Sequence, residues 1–133
     1  MTRFNITIFV CVSCRRSLHD GESYDQPGEE LAAALESRLK YVGAVDVTVT
    51  PVECLAVCKR PCTVAVSAKE KWTYIVGDLD PVEHVEEVVE AALAYQRSED
   101  GIVPWRERPA TFRKGIVARV PPRGFTQPET ETA

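Results

Sequence analysis

This 133-residue chain is short of the motifs that mark ordinary enzymes. It has no Walker phosphate loop, no G-x-G-x-x-G, no G-x-S-x-G elbow and no paired-carboxylate motif, which argues against a common hydrolase or nucleotide enzyme. Histidine is scarce. His84 falls among acidic residues of an expected helix and should face solvent, while His19, in a cysteine-flanked loop, is a candidate for ligation or hydrogen bonding near a metal. No apolar run approaches the roughly 20 residues needed to cross a bilayer. Residues 6–11 are apolar but too short for a signal segment and follow no basic stretch, so the expectation is a cytoplasmic protein without a membrane partner. A net charge of −4 argues mildly against nucleic acid as a partner.

What the chain does have is enough apolar residues, 44%, to build one core without help from disulfides. Its five cysteines therefore need another explanation. They fall as Cys11-x2-Cys14 and as Cys54-x3-Cys58-x3-Cys62. In a reducing compartment, an odd count at those spacings points to metal or redox chemistry and away from a disulfide framework. Charge is segregated too: residues 1–100 carry ten Lys/Arg against seventeen Asp/Glu, net −7, and residues 101–133 carry six against three, net +3.

Residues 5–10 (NITIFV) are β-branched and aromatic and predict a buried strand that delivers Cys11 at its end. Residues 11–26 show no period and hold Cys14, Arg15, Arg16, His19 and an Asp20-Gly21 turn signal, as expected of a loop around a bound group. Pro27 with Glu29 and Glu30 then opens a helix. Its apolar face is Leu31, Leu35 and Leu39, with Ala34 and Val42 alongside, and Gly43 is its stop. Residues 45–50 alternate as a second strand, and residues 63–67 and 72–76 predict two more joined by a hairpin at 68–71. Asp80 as N-cap and Pro81 at the first position open a second helix ending near Arg97, with Val82, Val85, Val89, Ala92 and Leu93 as its buried stripe. Trp72 and Tyr74 are expected in the core or on a dimer face. The reading is one α/β domain over residues 1–97, strand–helix–strand–strand–strand–helix. Residues 98–133 follow as a basic, proline-rich C-terminal extension, partly extended or disordered, in which 112–120 is an extra strand or a packed arm.

A strand–helix–strand unit of this length places its two strands parallel. Both cysteine groups then occupy loops at the carboxyl ends of those strands, the usual location of a site in such a sheet. Four thiolates suit tetrahedral zinc or an iron–sulfur cluster, since both prefer sulfur. The spacings of Cys11/Cys14 with Cys54/Cys58, or with Cys58/Cys62, leave zinc open beside [2Fe-2S]. A third reading is a thiol oxidoreductase using Cys11-x-x-Cys14, although a catalytic pair wants its first sulfur at a helix N-terminus and the clear helix begins at Pro27. Arg15, Arg16, Lys59 and Arg60 flank the cysteine loops. They are either ordinary surface charge or a cationic rim that offsets thiolate charge, raises a cluster potential and steers an acidic partner.

Cys54-Leu55-x-x-Cys58-x-x-Pro61, followed by an apolar strand, a turn, an aromatic-rich strand and Asp80-Pro81-Val82-Glu83-x-Val85-Glu86-x-Val88, is similar to the thioredoxin-like [2Fe-2S] ferredoxins. It also resembles the matching domain of the small iron–sulfur subunit of respiratory complex I. The likeness covers roughly residues 4–95 and is most specific over 54–93. It implies a thioredoxin-like fold, a [2Fe-2S] cluster held by Cys54 and Cys58 with Cys11 and Cys14, an electron carrier and not an enzyme, a redox partner protein, and a homodimer. The chain departs from that pattern in its close Cys11/Cys14 spacing and in Cys62, an additional thiol that is a possible alternative ligand. With Trp105-Arg106-Glu107-Arg108-Pro109 and Val117-Ala118-Arg119-Val120-Pro121-Pro122 included, the whole chain also looks like a bacterial family described as predicted metal-binding proteins, loosely associated with cobalt and cobalamin genes.

Overall fold

Ile6–Cys11 form β1, whose Ile6, Ile8 and Val10 are wholly buried on one face while Thr7 and Phe9 lie half-buried on the other. That alternation is what a β-branched run produces when one sheet face is covered. The structure is a computed structural model and describes residues 5–13, 15–17, 24–57 and 59–127. β1 lies second in a five-stranded sheet with β4 (Val47–Val52), β5 (Val64–Ala68), β6 (Thr73–Val76) and β7 (Ile116–Val120), in the order β4-β1-β5-β6-β7. β1 and β4 run parallel with Cys11 opposite Val52, as expected, and the other pairs are antiparallel. A two-stranded ribbon, β2 (Arg16–Ser17) with β3 (Tyr24–Asp25), precedes the first helix.

Helix α1 (Gly28–Tyr41) buries Leu31, Leu35 and Leu39 against β1, β4 and helix α2 (Val85–Arg97). Burial of each such leucine is worth roughly 2 kcal/mol. Val42 stands just past the helix and is exposed, not part of its apolar face. The second strand runs two residues later than its alternation suggests, because Val45 is 81% exposed and pairing begins at Val47. Pro51 is tolerated within it because β4 is a sheet edge.

α2 also starts later than expected. Asp80 does cap, its Oδ2 accepting the Val82 and Glu83 N–H groups at 2.8 Å each, but it closes a turn over residues 81–84 before the helix proper. Val82 consequently points away from the core, 75% exposed, and the buried stripe is Val88, Val89, Ala91, Ala92, Ala94 and Tyr95. His84 is half-buried and not simply solvent-facing: its Nδ1 accepts the Asp80 N–H at 2.8 Å.

The chain beyond α2 continues the same core. Helix α3 (Thr111–Lys114) buries Phe112 against Tyr74, and β7 covers the edge of β6. The buried Tyr74 hydroxyl accepts the Val103 N–H at 2.9 Å, and the Arg108 guanidinium lies 5.3 Å from its ring. Trp72 is half-buried between Arg119 and Phe125. Lys71, 1% exposed in what reads as a polar turn, donates to the Tyr95 and Gln96 carbonyls at the end of α2. A cation there suits the negative end of the helix.

Candidate metal centre

The parallel pairing of β1 and β4 puts Cys11 and the Cys54 loop at the carboxyl ends of neighbouring strands. Cys11 ends β1 opposite Val52, and Cys54 follows two residues after Val52. Beyond the strands the two loops remain joined. The Val12 N–H donates to Val52 O at 2.9 Å and the Ser13 N–H to Glu53 O at 3.2 Å, with the Ser13 hydroxyl also on Glu53 O. Cys11 is fully buried, and its Sγ lies 3.8 Å from Glu53 O. On its other side, the Cys11 N–H donates to Thr63 O at 3.0 Å.

Cys54 is exposed, and its Sγ accepts the Ala56 N–H at 3.1 Å. That contact is made possible by a left-handed turn at Ala56, φ 61°, an unusual conformation for a residue with a Cβ. An N–H aimed at sulfur is a contact of the kind that orients and tunes a metal-ligating cysteine. The loop returns to the body through Cys62, whose N–H and carbonyl both pair with Leu79, while the Arg60 Nε donates to Asp78 Oδ2 at 2.8 Å. Cys62 itself is packed in the core. Burial, with Cys11 nearby, pushes its thiol up to about 12, so it stays protonated at neutral pH.

Two further features could not be foreseen from local pattern. Gly28, in the first turn of α1, lies directly against the Cys11–Val12 backbone: a Cβ there would sit 2.0 Å from Cys11 O. The N-terminus of α1 is thus beside Cys11 although Pro27 is remote in sequence; a glycine where helix propensity disfavours one was the available signal. The second is Arg16. Its Nε and Nη2 fork onto the Asp25 carboxylate at 3.1 and 2.7 Å, and its Nη1 donates to Asp80 Oδ1 at 2.8 Å. The expected cationic rim is therefore partly compensated, Arg16 by Asp25 and Asp80 and Arg60 by Asp78.

Cys14, Cys58 and His19 lie outside the described residues. Among the described residues no group of three or more His, Cys, Asp or Glu side chains is placed to hold a metal ion. Of the four expected ligands the structure describes Cys11 and Cys54, on loops hydrogen-bonded to each other, and it puts Cys62 in the core with Cys11 nearby. Thiol donors, one of them carrying a backbone N–H contact, are of the kind that suit a soft metal.

A mixed sheet with cysteines at the carboxyl ends of its parallel strands and helices packed against it belongs to the thioredoxin-like α/β class. The chain is similar to the thioredoxin-like [2Fe-2S] ferredoxin from Aquifex aeolicus, at 22% identity over 91% of this chain and 97% of that one, with a TM-score of 0.58. The wild-type form of that ferredoxin gives 20% identity over 85% and 96% of the two chains, with a TM-score of 0.54. A cysteine-to-serine variant gives 19% over 85% and 98%, with a TM-score of 0.55. Likeness at this identity establishes the fold. Residues 8–122 match the family described as "Protein of unknown function (DUF1636)", and the chain belongs to that family. No curated protein matches the sequence. Among the described residues, no helix is long and apolar enough to cross a membrane.

Proposed function

We propose that the protein is a ferredoxin-like electron carrier that holds one [2Fe-2S] cluster through Cys11, Cys14, Cys54 and Cys58 and serves a partner protein. The observation that carries this reading is the convergence of Cys11 and Cys54 at the carboxyl ends of two parallel strands, with their loops hydrogen-bonded to each other. Such a cluster supplies one-electron transfer when bound. The chain's own part is to fix the sulfurs and set their surroundings. The Ala56 N–H lowers the electron density on Cys54, burial of Cys11 keeps water from one side, and the core position of Cys62 favours Cys58 as the ligand from that loop. The fold likeness to [2Fe-2S] ferredoxins supports the cluster type over zinc.

A thiol oxidoreductase using Cys11 and Cys14 is the second reading, favoured by the approach of α1's first turn to Cys11. Anaerobic purification with visible absorption and analysis of iron, sulfide and zinc separates the readings. The expected result is a coloured protein with two irons and two sulfides per chain. A colourless protein with one zinc and no sulfide refutes the carrier reading. Metal-free protein that cycles Cys11/Cys14 between thiol and disulfide supports the oxidoreductase. Cys62→Ala should keep the cluster, whereas serine at Cys11, Cys14, Cys54 or Cys58 should lose or alter it.

A further inference from the structure

Arg16 ties the segment after Cys11 to the starts of both helices. β2, which carries it, follows the Cys11 loop and begins two residues past Cys14 in sequence. Its guanidinium reaches Asp25, at the end of β3 just before α1, and Asp80, which caps the turn before α2. Asp80 is itself held, its Oδ2 by two backbone N–H groups and its own N–H on His84 Nδ1. At its other end the same segment is fastened to β4 by the Val12 and Ser13 N–H groups.

We propose that Arg16, forked onto Asp25 and bonded to Asp80, is a positioning residue for the metal centre, tying the β2–β3 ribbon that follows the Cys11 loop to the starts of both helices. The inference rests on the metal-centre reading above. It differs from a charge-compensation role in a decisive respect. One arginine with two aspartates carries a net charge of −1, so its positive charge is balanced within the triad. What remains is geometry, which a planar five-donor fork supplies and an ammonium does not.

The two roles predict opposite results for Asp25→Asn and Asp80→Asn. Each makes the surroundings one unit more positive, which on the charge account should hold an anionic thiolate cluster more tightly. On the positioning account each releases the segment and weakens retention. The experiment uses the full chain, purified anaerobically and reconstituted with iron and sulfide. The readouts are iron and sulfide per chain, the visible circular dichroism band of the cluster, and the half-life of that band after adding a chelator. Far-ultraviolet circular dichroism of each metal-free variant checks folding, and Asp25→Asn, which removes no helix-turn cap, serves if Asp80→Asn does not fold.

Arg16→Lys, Arg16→Met and Asp25→Asn should each shorten the half-life about tenfold or more, the scale of one lost charge-assisted hydrogen bond, and change the band's shape. Asp25→Asn with a half-life equal to or longer than wild type overturns the proposal, as does Arg16→Lys that behaves like wild type. Either result leaves the cluster reading standing. Wild-type protein that takes up no iron and sulfide overturns the cluster reading, and the positioning role with it.

Discussion

Gly28→Ala tests whether the close approach of α1 to the cysteine edge is a requirement of the fold. In an ordinary helix the change would stabilise by up to about 1 kcal/mol, because alanine has the higher helix propensity. Here the added Cβ would stand 2.0 Å from Cys11 O, 2.7 Å from Val12 Cα and 2.9 Å from Cys11 C. All three obstacles are backbone, so no side chain can turn aside. Reaching ordinary contact at 3.4 Å requires a separation of roughly 1.4 Å between α1's first turn and the end of β1.

Neither side yields easily. The Cys11 and Val12 N–H groups are bonded to Thr63 O and Val52 O at 3.0 and 2.9 Å, and Leu31 N–H to Pro27 O at 2.9 Å. Overpacking costs about 1–3 kcal/mol, and a 2.0 Å approach to backbone belongs at the upper end of that range, so the clash outweighs the propensity gain and leaves a net loss of roughly 1–2 kcal/mol. Urea unfolding of the metal-free protein should show a midpoint lower by roughly 0.5–1 M. Because a displacement near 1 Å exceeds what a preorganised site tolerates, cluster content after reconstitution should also fall. A Gly28→Ala protein that unfolds at the wild-type midpoint or above it, with full iron and sulfide, would refute the reasoning.

Two further expectations concern the body of the protein. Tyr74→Phe leaves the Val103 N–H without its buried acceptor, a loss of about 1–3 kcal/mol. Thermal unfolding of the metal-free variant should fall by roughly 3–10 °C, and an unchanged midpoint would mean that water satisfies Val103 instead. The second is an acid dependence. The Glu83 and Val82 N–H groups, and then Arg16, hold the Asp80 carboxyl below its ordinary 3.8, and the Arg16 fork does the same for Asp25. Each folded-state value is depressed, so the unfolded chain binds protons first, and stability present above pH 3.8 is lost as pH falls through the lower folded values. Asp80→Asn should flatten the acid limb of a stability-against-pH curve, and an identical limb in variant and wild type would count against the network.

Much of this architecture was legible in the sequence because period and burial are local signals. The NITIFV run, the Leu31/Leu35/Leu39 stripe and the hairpin near residues 68–71 all form where their patterns place them. The pairing of Cys11 with the Cys54 loop was legible as well, since it follows from parallel strands and not from any cysteine spacing. What escaped is what depends on contacts far apart in the chain. Arg16 meets Asp80 across 64 positions, and Lys71, in a stretch that reads as an exposed turn, is buried because the end of α2 lies over it. Val82 fits the period of α2 and is still exposed, because Asp80 and His84 close a turn ahead of the helix. Cys62 belongs by spacing with Cys54 and Cys58, yet its strand-end position puts it in the core.

The two described cysteines at the edge are in unlike surroundings, and the contrast bears on their chemistry. Cys54 is exposed and its sulfur accepts a backbone N–H. Cys11 is buried with its sulfur directed toward the Glu53 carbonyl oxygen, a contact that only the protonated form makes. A buried thiol is a weaker nucleophile in disulfide exchange than an exposed one, whereas a metal ligand gains from a fixed, water-shielded position, so the burial of Cys11 is the feature on which the two proposed readings differ.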